Sequence, residues 1–111
     1  MKGKGGKNLE KKVEVFKALS DSNRLKIIDM LSCGELCVCD LIDGLELTQS
    51  TVSHHMKILK QADLVKAKKI GKWTKYSINK DTFEDVAKFI KYISTFKEDC
   101  ICNNVIKGIC D

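Results

Sequence analysis

Proline is absent from the 111 residues, and aromatic side chains make up only 6% of them. Both shortages fit a compact helical domain more readily than an all-β one. No apolar run approaches the roughly 20 residues a membrane-spanning helix needs. The opening MKGKGGKNLEKK has no apolar stretch, so it does not read as a secretory signal, and the expected location is cytoplasmic. The only two histidines, His54 and His55, are adjacent, and no cysteine or carboxylate is placed to complete a catalytic set with them. An enzyme is therefore not expected. What the chain does have is charge and sulfur. Twenty Lys and Arg against fifteen Asp and Glu give a net charge of +5, which favours an anionic partner. In a reducing compartment, six cysteines are expected as thiols or metal ligands rather than a disulfide framework. The length allows one domain with one modest core.

Residues 45–64 organise the rest. Thr48 is a good N-cap, and Val52, Met56, Leu59 and Ala62 then recur at the spacing of one buried helix face. The opposite face carries Gln49, Ser50, Ser53, His54, Lys57 and Gln61, short polar or basic groups suited to phosphates and base edges. A solvated surface helix has the same composition, so the flanking segments decide.

Residues 1–8 are expected as a disordered basic tail, 9–97 as a DNA-binding and dimerisation domain, and 98–111 as a cysteine-containing tail. Leu9, Val13, Phe16 and Leu19 mark a first helix, and Val15 and Ala18 widen its apolar surface, which points to contacts beyond one core. Asp21 caps a second helix with Leu25, Ile28 and Leu31 inward and Ile27 beside them; Arg24 in its first turn is available to a phosphate or to Asp21. Cys33-Gly34 ends it. Leu36-Cys37 reads as a short extended piece, and a helix begins near Val38, weakened toward its end by Gly44. Helix, short turn and helix make a helix-turn-helix.

After Leu64 the period changes from 3.6 to 2. Residues 65–69 alternate, Ile70-Gly71-Lys72 turns, and residues 73–78 alternate again, a β-hairpin with glycine at its tip. Lys66, Lys68, Lys69, Lys72 and Lys75 crowd onto it. Lysines also protect solvated edge strands, but directly after a helix-turn-helix they read as a wing on the DNA backbone. Asp81 or Thr82 caps a final helix to about residue 96, whose apolar residues occupy more than one face. The surplus points to a partner subunit, and a twofold dimer would present two recognition helices. The fold class expected is mainly α with a small β-hairpin: a dimeric winged helix-turn-helix.

Three stretches, ALSDSNRLKIIDMLSCGELCVCDL, LTQSTVSHHMKILKQADLV and GKWTKYSI, resemble the ArsR/SmtB family of winged-helix metal-sensing repressors, arsenic-responsive branch. The resemblance covers residues 13–78. It implies a homodimer that represses an operon and leaves double-stranded operator DNA when a metal or metalloid binds. The ELCVCDL signature implies thiolate ligands from Cys37 and Cys39, and occurs in sensors of arsenite and antimonite and of cadmium, lead or zinc. Two departures stand out. Ile42 replaces the cysteine that completes the arsenite site in members with all three ligands on this helix. Residues 1–32 lack the N-terminal cysteines of the cadmium and lead sensors. The final helix has no histidine, which argues against the family's zinc site there.

Soft thiolates select soft ions. As(III) and Sb(III) take three thiolates in a pyramid, so they are the expected inducers; Cd(II), Pb(II) or Zn(II) is the alternative, with cadmium or zinc usually taking four ligands. The remaining ligand is sought in Cys100 or Cys102 of the tail, from either subunit, with Cys33 and Cys110 as other candidates. On a regular helix, side chains two residues apart diverge by about 200°. Joint binding by Cys37 and Cys39 is therefore expected to unwind or tilt the helix that braces the recognition helix, setting ligand against DNA. A helix N-terminus is expected to lower the thiol pKa. The plainer possibility is that these cysteines are small buried hydrophobes; a redox or persulfide switch is a further alternative, as is a metal-carrying or protein-docking module without operator binding. For DNA, Ser50, Thr51, Ser53, His54 and Lys57 are expected in the major groove. Gln49 would hold the approach, and Lys68, Lys69, Lys72 and Lys75 would meet phosphates.

Overall fold

The helix-turn-helix forms where the apolar spacing and Thr48 place it. In the computed structural model, which describes residues 2–95 with side chains from residue 9 onward, helix α3 (Val38–Leu45) is followed by α4 (Gln49–Gln61). Glu46 closes α3 in the left-handed region at φ 58° and donates its N–H to Ile42 O. The Thr48 hydroxyl then accepts the Thr51 N–H at 3.2 Å, filling one of the vacant positions of a helix start. Gly44, inside α3, does more than weaken it. A Cβ there would meet Met30 Cε at 2.5 Å, so the glycine lets α3 approach the second helix closely.

Before these come α1 (Lys2–Leu19) and α2 (Ser22–Leu31), then a two-residue strand β1 (Leu36–Cys37). After them come β2 (Val65–Ile70), β3 (Trp73–Ile78) and α5 (Lys80–Ser94). Ile27, Leu41, Val52, Met56, Leu59 and Leu64 are fully buried and bring α2, α3, α4 and the start of the hairpin onto one core. Each such side chain stabilises the fold by about 1.5–3 kcal/mol relative to exposure.

The apolar surface of α1 divides between core and exterior, and in α2 Leu25 departs from the expected inward face. In α1 the inward residues are Val15 and Ala18, while Leu9 (53% exposed), Val13 (47%) and Phe16 (37%) face outward. In α2, Ile27 and Leu31 are buried and Leu25 is 51% exposed. Both stripes of α1 are apolar, so a 3.6-residue period alone cannot select the one that meets the core. The α1 backbone is described from Lys2, and its side chains from residue 9.

The sheet has the order β1-β3-β2, all antiparallel. Ile70 pairs with Trp73, so the turn shortens from the expected three residues to Gly71-Lys72. Gly71 sits at φ 62°, the left-handed conformation that hairpin turns with glycine at the first central position use. The final helix starts earlier than expected. Asn79 donates its side-chain amide to Asp63 O at 3.0 Å and its N–H to Leu64 O at 2.9 Å, and α5 begins from that anchored residue rather than from Asp81 or Thr82. Helix α5 ends at Ser94, with Thr95 extended at φ −108° and ψ 139°, short of the expected end near residue 96, and the tail at 98–111 lies outside the described residues. No helix among the described residues is long and apolar enough to cross a membrane.

Candidate DNA interface and thiol site

Helix α4 is two-sided. Val52, His55, Met56 and Leu59 are buried against the core. Gln49, Ser50, Ser53, His54 and Lys57 are exposed on the surface left over. Thr51 is half-buried and its hydroxyl accepts from Thr48 at 2.9 Å, so it belongs partly to the helix start. Lys68, Lys69 and Lys72 are exposed on the hairpin, whereas Lys75 is half-buried on the central strand.

Besides its core residues, α4 is held by a contact that the sequence pattern does not show. The Arg24 guanidinium lies 3.2 Å from Nδ1 of His55, and its Nε donates to Ala18 O at 2.6 Å. Asp21 caps α2 by accepting the Arg24 N–H at 3.1 Å and stands 4.0 Å from His55 Nε2. Arg24 can only donate, so Nδ1 of His55 accepts and Nε2 carries the proton toward Asp21. That backbone N–H of Arg24 holds the Asp21 carboxyl below its ordinary range. Burial opposes the shift, and the Arg24 charge adds to it. Arg24 is thus an internal brace, not a free phosphate ligand. The available signal was an arginine one turn beyond an N-cap, together with a histidine on the buried face of the next helix pair.

Cys37 ends β1 in an extended conformation (φ −94°, ψ 170°) and stands as the N-cap of α3, with Cys39 in the first turn. Because Cys37 is not helical, the two side chains do not diverge as expected for a helix. Their sulfurs lie 2.7 Å apart. The two sulfurs thus converge at the start of α3 with the helix intact, where divergence was expected. The Cys37 N–H donates to Asp40 at 3.0 Å and its thiol points at the same oxygen at 3.2 Å. Cys37, Cys39 and Asp40 offer donor atoms all within 4.8 Å of one another.

The electrostatics also differ from expectation. The Cys39 thiol is raised above its ordinary value, first by the hydrogen bond with Cys37, then by burial and the neighbouring Cys37 and Asp40 charges. Two sulfurs in contact resist a second negative charge, and this outweighs the backbone hydrogen bond that favours the thiolate. Asp40 is held low by the Cys37 N–H, then by the Cys37 thiol, with Lys75 adding its charge. Soft sulfurs with a carboxylate beside them fit a thiophilic ion and would supply part of its coordination. Cys33 is exposed and outside this group. Cys100, Cys102 and Cys110 lie outside the described residues. A cleft of about 310 Å³ adjoins the sulfurs, with Val38 and Ile42 on the α3 side, Lys72, Trp73 and Thr74 on the wing side, and Gln49 of α4 also lining it.

A helix-turn-helix followed by a basic hairpin defines a winged helix-turn-helix DNA-binding regulator rather than an enzyme. Comparisons with known proteins agree. A family profile described as "Bacterial regulatory protein, arsR family" matches residues 21–67. The "Arsenical resistance operon repressor" of Staphylococcus aureus is 44% identical over 96 residues, spanning 86% of this chain and 92% of that protein. A "Cadmium resistance transcriptional regulatory protein CadC homolog" of the same species is 48% identical over 67 residues, spanning 60% of this chain and 55% of that one. Among solved structures, a homodimeric winged helix-turn-helix DNA-binding domain from Mycobacterium bovis, a possible ArsR-family regulator, superposes with a TM-score of 0.67 at 30% identity, over 81% of each chain. This chain belongs to the ArsR family of transcriptional repressors.

Proposed function

We propose that this protein is a cytoplasmic homodimer that represses an arsenical resistance operon and leaves its operator when As(III) or Sb(III) binds Cys37 and Cys39. A third thiolate would come from Cys100 or Cys102. The observation that carries the reading is the convergence of the two sulfurs at 2.7 Å beside the cleft between α3 and the wing. Arsenous acid exchanges its hydroxyls for sulfur, so three thiols and one As(OH)₃ give one pyramidal As(S)₃ and three waters. Ser50, Thr51, Ser53, His54 and Lys57 enter the major groove, Gln49 holds the approach, and Lys68, Lys69, Lys72 and Lys75 meet phosphates. The dimer covers the outward apolar stripe of α1, Leu9, Val13 and Phe16, together with Ile90 and Ile93 of α5, all exposed in the single chain. The homodimeric neighbour supports that assembly.

A divalent-metal reading is favoured by one specific observation, the 48% identity to the cadmium resistance regulator. Two thiols and the Asp40 carboxylate would then serve Cd(II), Pb(II) or Zn(II). The test is a titration of sodium arsenite into the reduced protein bound to DNA from its own promoter. Anisotropy of labelled DNA falling to the free value supports the metalloid reading. Release by cadmium chloride alone transfers the function to divalent ions, and release by oxidant alone transfers it to thiol redox or persulfide sensing.

A further inference from the structure

The thiol site and the wing share one sheet. Leu36 pairs with Tyr76 and Cys37 with Lys75 across β1 and β3, and Lys75 pairs with Lys68 across β3 and β2. Directly paired residues lie on the same face of a sheet. Cys37, Lys75 and Lys68 therefore form one row, running from the sulfur pair to the outer strand of the wing. The cleft beside the sulfurs has the wing residues Lys72, Trp73 and Thr74 as its far wall. Two elements border this site, and they differ in stiffness. Helix α3 is pinned through Leu41, which is fully buried, and packs on α4. The wing tip is exposed, Trp73 at 53%, and weakly packed exposed segments open at lower cost than core elements. The sulfurs already converge with α3 intact.

We propose, on the reading that Cys37 and Cys39 take the inducer, that the wing is the element the inducer moves. The ion and its ligand shell enter the cleft, displace Lys72, Trp73 and Thr74, and shift β3 against β1. This draws the lysine row off the phosphates while α3 and α4 keep their packing. Trp73 is a positioning residue of induction: it transmits occupancy of the cleft and holds neither ion nor DNA.

Two measurements on the reduced full chain test this, with sodium arsenite and cadmium chloride as probes and sulfur-to-metal absorption reporting binding. In amide hydrogen exchange without DNA, the probe is expected to change protection in residues 36–37 and 73–78 and to leave residues 41–45 unchanged. Loss of protection in residues 41–45 with the wing unchanged would overturn the proposal in favour of helix unwinding. In the second, Trp73→Ala is expected to bind the probes as wild type does. The probe concentration that half-releases the variant's own DNA complex rises on the order of tenfold, since one coupling contact is removed. A release midpoint that still tracks binding as in wild type would overturn the proposal. Absence of any sulfur-to-metal absorption in the wild type would remove the thiol reading, and this inference with it.

Discussion

The guanidinium of Arg24 meets Nδ1 of His55 at 3.2 Å, joining the first turn of α2 to the buried face of the recognition helix. His55 is next to His54, which is exposed, so a residue expected at DNA and a residue locked into the core are neighbours in sequence. Removing the guanidinium leaves a buried ring nitrogen and the Ala18 carbonyl without their partner. Arg24→Ala is expected to destabilise the fold by about 1–3 kcal/mol. It should also weaken promoter binding more than that loss of folded protein explains, because α4 loses its orientation. Urea denaturation and DNA anisotropy on the same preparation check both; unchanged stability would show that the contact does not brace α4.

Asp21 carries a pH signature. Its folded pKa is lowered, chiefly by the Arg24 backbone N–H. In the acid range the unfolded chain therefore binds more protons than the folded one, and stability rises with pH there. The contribution is complete above the ordinary carboxylate range, near ~3.9, and is lost as pH falls through the lowered folded value. Asp40 has the same sign. Asp21→Asn is expected to flatten the stability-against-pH curve below about pH 5, as read from unfolding midpoints across that range.

Binding chemistry distinguishes the two inducer classes by proton count. The raised Cys39 thiol keeps its proton until a ligand displaces it. A divalent cation must expel about one proton per thiol, so its affinity climbs with pH. As(OH)₃ carries the thiol protons away as water and releases no net proton. Calorimetry in two buffers of different ionisation enthalpy should therefore show proton release for cadmium chloride and none for sodium arsenite. Equal release for both would contradict thiol exchange at arsenic.

The wing lysines should act as phosphate contacts and carry no sequence information. Lys72→Ala is expected to weaken binding to specific and random DNA alike. It should reduce the slope of log K against log salt by about 0.9. A loss confined to the specific operator would place Lys72 at base edges instead.

Much of this arrangement was legible in the sequence, and the exceptions have physical causes. The helix-turn-helix was readable because Thr48 supplies a cap and Val52, Met56 and Leu59 keep one period. The wing was readable because the period changes to two and Gly71 marks the turn. The inward face of α1 was not, since Leu9–Val13–Phe16 and Val15–Ala18 are both apolar and the outer stripe looks like a core stripe. The pairing of β1 with the wing was hidden because two residues, Leu36 and Cys37, have no period to read. The convergence of Cys37 and Cys39 followed from the same omission. A cysteine at an N-cap obeys strand geometry, and the 100° rule for helices does not reach it. Arg24 stands out in the sequence, but its choice of His55 depends on how α2 and α4 cross, which local pattern does not encode.

The most direct test of the account compares the wild type and Cys37→Ser, each bound to promoter DNA, under one arsenite titration with bound arsenic counted in the same samples. The wild type is expected to bind arsenic and release the DNA together. Cys37→Ser is expected to hold the DNA with nearly wild-type affinity and neither capture arsenic nor let go. A Cys37→Ser protein that still releases its DNA on arsenite would contradict the central claim, and one that never binds DNA would make Cys37 a structural residue.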